Sequence, residues 1–115
     1  MKQSTRRSQL QLQQIDSKSS DQALREAADL LRCGRGEVVL EGAVILRTVA
    51  GALECAVIDP ERGVHRCAEE FKVLIENASH LLAQSGLAGL LPAEPLRWVI
   101  VSERGPGREV LWRET

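Results

Sequence analysis

The run AEEFKVLIENASHLLAQS, residues 68–85, decides the fold. Phe71, Leu74, Ile75, Ala78, Leu81 and Leu82 recur at steps of three and four, the spacing that lines one face of an α-helix. Glu69, Glu70, Lys72, Glu76, Asn77 and Gln84 take the remaining surface, which gives the helix one apolar stripe and one wet face. A helix this short draws most of its stability from packing that stripe on something else. The segments on either side read as strands, so the helix is expected to roof an antiparallel sheet.

Upstream, Val38, Val39, Leu40, Val44, Ile45, Leu46 and Val49 are aliphatic or β-branched with short polar breaks, and residues 37–49 read as one strand. Ala50-Gly51 turns the chain. Leu53, Cys55 and Val57 then alternate with Glu54 and Ala56 in a second strand. Asp59-Pro60-Glu61-Arg62-Gly63 is a turn signal, and Val64 to Cys67 is expected to add a short third strand before the helix. Earlier still, Ala23, Leu24, Ala27, Ala28, Leu30 and Leu31 stand at helical spacing, with Ser19 and Gln22 in a capping-box arrangement before them and Gly34 and Gly36 after them. That predicts a first helix over 21–33. Residues 1–20 are expected to be a flexible basic arm, although the alternation of residues 9–13 suits an edge strand wherever a partner edge is offered.

Downstream, residues 86–95 read as a loop with a half-turn at 87–91. Leu96 to Val101 and Glu109 to Arg113 are the last strands, joined through Glu103-Arg104-Gly105-Pro106-Gly107 as a hairpin. Centred on Gly105, it pairs Ile100 with Val110 and Trp98 with Trp112. The expected architecture is α+β: an antiparallel sheet of four to five strands with two helices packed on one face, in the order α-β-β-(β)-α-β-β, and a single domain over 21–115.

Composition narrows the function classes. A chain of 115 residues with 43 % hydrophobic and 27 % charged residues is an ordinary globular domain, and with aromatics at 3 % its core must be aliphatic. The net charge of −1 hides an uneven distribution. Lys2, Arg6, Arg7 and Lys18 against Asp16 give residues 1–20 a balance of +3, and the rest of the chain carries −4. No run approaches the roughly 18 apolar residues of a membrane span, and no apolar segment follows the basic N-terminus, so neither membrane insertion nor a standard signal is expected. Cys33, Cys55 and Cys67 are odd in number and widely spaced, a poor disulfide framework, which points to a reducing cytoplasm.

The last hairpin carries the functional expectation. In the register above, Trp98, Ile100, Val110 and Trp112 share one face while Val99, Val101 and Leu111 share the other, whereas a sheet with one wet face should alternate apolar and polar residues. The helices can cover one side. The other is to be closed by the chain's own loop or arm, by a second protomer, or by a partner or ligand. The expectation is a non-enzymatic binding or regulatory module acting through protein–protein contact as a homodimer, with Trp98, Ile100, Val110 and Trp112 as its interaction face.

Two alternatives stand beside it. Lys2, Arg6 and Arg7 on the arm, with Arg104 and Arg108 at the hairpin tip, could contact nucleic-acid phosphates, against an acidic body with no Tyr or Phe platform for stacking bases. Cys33, Cys55, His65 and Cys67, with His80, offer a thiol or zinc site, but only His65 and Cys67 are close in sequence and alternate strand residues point to opposite faces. No dinucleotide glycine motif, phosphate-binding lysine loop or nucleophile elbow is present, so no catalytic residue and no cofactor is assigned.

Overall fold

The computed structural model describes residues 11–91, 95–103 and 108–114. Its elements run β1 (Gln11–Ile15), α1 (Asp21–Cys33), β2 (Gly36–Leu40), β3 (Val44–Val49), β4 (Ala52–Ile58), α2 (Ala68–Gln84), β5 (Pro95–Ser102) and β6 (Glu109–Arg113), with a turn of 3₁₀ helix at Ala88–Leu90 before β5. The fold is α+β with two helices, as expected. The sheet is larger than expected and not purely antiparallel: six strands lie in chain order β1-β2-β3-β4-β5-β6, and β1–β2 and β4–β5 are parallel. Each parallel pair is bridged by a helix, because parallel neighbours need a crossover where antiparallel ones need only a turn.

Two differences from the sequence reading account for the extra strands. Residues 37–49 are two strands, since Glu41 and Gly42 both take positive φ and fold the chain back so that Leu40 pairs with Val44. The third strand expected at Val64–Cys67 is instead part of the turn into α2. At the other end, Gln11–Ile15 is a strand paired in parallel with β2, from Gln11 against Gly36 to Ile15 against Leu40. A Cβ on Gly36 would collide with the Gln11 carbonyl oxygen and the Leu30 side chain, so glycine there lets β1 and α1 close on β2.

Helix α1 begins at Ser20, whose hydroxyl accepts the Ala23 N–H at 3.1 Å, one residue later than the expected capping box. It ends at Gly34, in the left-handed region at φ 68°. Leu24, Ala27, Ala28 and Leu31 are its buried stripe, and Phe71, Ala78 and Leu82 are that of α2. Both stripes meet one side of the sheet. Val38 and Leu40 of β2, Val44 and Leu46 of β3, Leu53, Cys55 and Val57 of β4 and Ile100 of β5 face them in a single core. Leu87, fully buried, plugs this same core from the 86–91 loop, so the loop closes the helix side.

The helix-free face has its own small core of Ile45, Ala56, Val99 and Val101, all at most 2 % exposed, with Val39 and Ile58 against them. Val39, Ile45, Ala56 and Val99 stand side by side across four strands.

Candidate functional site

The final hairpin carries the expected interaction face, and its register differs from the one read off the sequence. Ile100 pairs with Trp112 and Val101 with Val110, leaving Leu111 as an extra residue in a β-bulge. The bulge turns Leu111 to the helix side, where it packs with Trp112 on the main core and closely approaches Gly63. Leu111 therefore does not share a face with Val99 and Val101. Trp98 and Trp112 are not opposite each other either; Trp98 has Glu114 across from it, whose N–H donates to the Trp98 carbonyl at 3.2 Å.

The four expected interaction residues have different surroundings. Ile100 is wholly buried beneath the helices. Trp98 and Trp112 are half-buried on the same side, and Trp112 stacks on Phe71 of α2 with ring centroids 6.1 Å apart and planes 20° from parallel. Val110 is 41 % exposed on the outermost strand, and its pairing with Val101 turns it to the helix-free face, so it does not share a face with Trp98, Ile100 and Trp112 as expected. Beside the two indoles lies a groove of about 480 Å³. Helix α2 forms one wall with Lys72, Ile75, Glu76 and Ser79, positions that share a helix face; Trp98 and Trp112 line the sheet side, and Glu114 stands next to Trp98. The volume is in the range of ligand-binding clefts, roughly 300–1,000 Å³.

The position of α2, and so of the groove wall, is fixed by the turn before it. Asp59 closes β4 with its side chain fully buried. Its carboxylate accepts the Glu61 N–H at 3.0 Å, the Gly63 N–H at 2.7 Å and the Arg66 Nε–H at 3.1 Å. Burial opposes the charge, but the Arg66 guanidinium and the two backbone donors outweigh it and hold the Asp59 pKa below the usual carboxylate value. At the helix start the Glu70 carboxylate accepts the Cys67 N–H at 2.9 Å. Sequence reading saw a turn here but not its organiser, because an Asx-type turn signal does not reveal that its acid is buried.

A second cluster, also missed, crosses the helix-free face. Glu37, Arg47, Glu54 and Arg97 are consecutive neighbours on β2, β3, β4 and β5, alternating in sign. Arg47 lies 3.6 Å from Glu37 and 2.9 Å from Glu54, and Arg97 lies 3.4 Å from Glu54. Arg108 closes the row, at 2.9 Å from Glu37 and 3.1 Å from Glu103. Four strand spacings of about 4.8 Å separate β2 from β6 in the sheet, so Arg108 must lie across this face to reach Glu37. Glu37 and Glu54 are nearly buried, and such carboxylates persist because they are paired. Three acids meet three guanidinium groups here; the row neutralises itself.

These placements bear on the alternatives. Of the expected nucleic-acid contacts, Arg108 is engaged by Glu37 and Glu103, which raise its pKa. Lys2, Arg6, Arg7 and Arg104 lie outside the described residues. The proposed thiol and zinc ligands are dispersed. Cys55 is buried in the main core, Cys33 is exposed at the end of α1, and Cys67 and His65 are exposed before α2. Burial, with the Glu54 charge beside it, pushes the Cys55 thiol up to about 12. Among the described residues no three His, Cys, Asp or Glu side chains gather in a metal-binding group, and no helix is long and apolar enough to cross a membrane. Comparison with known protein families, curated proteins and solved structures finds no match.

Proposed function

We propose that this chain is a non-catalytic binding module that works through protein–protein contact, as a homodimer, at the edge formed by β6 and the outer wall of α2. The carrying observation is the groove, where the chain's only two Trp residues stand half-buried next to β6, the edge strand that also exposes Val110 on its other face. Tryptophan concentrates at protein interfaces because a large apolar body with one polar tip suits a surface that is wet until a partner arrives. The cluster of Ile45, Ala56, Val99 and Val101 is already buried at the centre of the helix-free face, which leaves the β6 edge, with Val110 exposed, as the surface open to a partner. Three free cysteines suit a cytoplasmic setting.

The test is the assembly state of a Val110→Glu variant. Val110 is exposed, so a charge there leaves the fold intact, which circular dichroism checks. Conversion of a wild-type dimer to monomer supports the reading. An unchanged assembly in a folded Val110→Glu protein counts against it.

A further inference from the structure

We infer that the groove between α2 and the β5–β6 edge receives an arginine side chain from a protein partner, an assignment that rests on the interaction reading above and names its chemistry. A guanidinium is planar, weakly hydrated and permanently charged. It stacks on indole faces and donates in a fork to carboxylates, two properties that an ammonium combines less well. The groove supplies both complements. Trp98 and Trp112 line its sheet side, Glu76 rises from the α2 wall and Glu114 stands directly across from Trp98.

The local charge has the right sign. Glu76 and Glu114 outnumber Lys72 among the lining groups, and Lys72 already lies 3.7 Å from Glu69, one turn back on α2. Glu69 and Glu70 add further negative charge to the same helix. Neither Glu76 nor Glu114 has an ion-pair partner among the described residues, in contrast with the acids of the helix-free face, which are all matched. Phe71 stacks on Trp112 from within the core and holds the ring in place, so the indole meets a ligand without first having to be ordered.

The test uses the intrinsic fluorescence of the two Trp residues, which no Tyr obscures. The protein is titrated with a short glycine-flanked arginine peptide and with the same peptide carrying citrulline, an uncharged isostere of arginine. The expected result is saturable quenching at about millimolar arginine peptide, with citrulline about tenfold weaker. A Glu76→Gln/Glu114→Gln variant, altered at two exposed positions, should lose about fivefold in affinity. Equal binding of both peptides, unchanged affinity in the double variant, or no saturable response would overturn the assignment. The Val110→Glu assembly measurement separates this failure from failure of the interaction reading. If the peptide does not bind while Val110→Glu still breaks the assembly, the arginine chemistry is wrong and the interface remains. If the peptide binds and the assembly ignores Val110→Glu, arginine recognition stands and self-association at this edge is removed.

Discussion

Replacing Asp59 should loosen the connection between β4 and α2 more than any other single change outside the core. In Asp59→Ala the N–H groups of Glu61 and Gly63 lose a charged acceptor, at 3.0 Å and 2.7 Å, and Arg66 loses its main partner. Bonds to a charged group are worth about 1.5–3 kcal/mol each, and Glu61 is exposed enough for water to replace its share. The expected loss is therefore about 2–4 kcal/mol, and Asp59→Asn, which keeps the shape and one acceptor oxygen, should lose about half as much. Urea unfolding followed by Trp fluorescence gives both values. The sign of the pH dependence follows from the depressed carboxyl. Its contribution is complete above the unfolded value near pH 4 and disappears as the pH falls through the lower folded value, so wild type should lose stability below about pH 4 more steeply than Asp59→Asn. Because Gly63 of this turn lies against Leu111, the same variants should also shift the emission of Trp112 next to it. Stability within about 0.5 kcal/mol of wild type in Asp59→Ala would refute the idea that this carboxylate organises the turn.

Other predictions concern the backbone and the thiols. Ala50 and Gly51 form the two-residue β3–β4 turn with φ of 52° and 81°, a conformation that suits Asn and Gly and strains Ala. Ala50→Asn should raise stability by about 0.5–1 kcal/mol, measured as a shifted urea midpoint at constant slope. Gly36→Ala should destabilise by about 1–3 kcal/mol by forcing β1 and Leu30 away from β2, and protease cleavage near Gln11–Ile15 should accelerate with it. A disulfide reagent should modify Cys33 and Cys67 quickly in the folded protein and Cys55 only on unfolding, given that the Cys55 thiol is buried with its pKa near 12. Three equally fast thiols would contradict the core packing.

The two helices were legible because their apolar positions repeat at a period that depends on neighbouring residues alone. Phe71, Ala78 and Leu82 face the core as their spacing demands. The division of residues 37–49 was hidden because β2 and β3 are buried on both sides of the sheet, so neither strand alternates and Glu41-Gly42 reads as a short polar break within one apolar stretch. Strand β1 was weakly marked for a different reason. Its Gln-rich sequence forms a strand because the edge of β2 is offered to it by a helix crossover, a non-local event. The register is one residue off the one centred on Gly105 already at Val101 and Val110, and the bulge at Leu111 adds a second, so that Trp112 stands opposite Ile100 instead of Trp98. The row Glu37, Arg47, Glu54 and Arg97 appears only when four separate strands are brought into register. Both Trp residues of the hairpin are half-buried on the helix side, a placement that depends on the observed register and on how α2 packs against the sheet.

The most direct test of the account is the molar mass of the reduced protein by light scattering, wild type beside Val110→Glu over a range of concentration. Wild type is expected at twice the 12.7 kDa chain mass and Val110→Glu at the single-chain mass, with identical circular dichroism. A wild-type protein that stays at the single-chain mass throughout, or a Val110→Glu protein that remains a dimer, would contradict it.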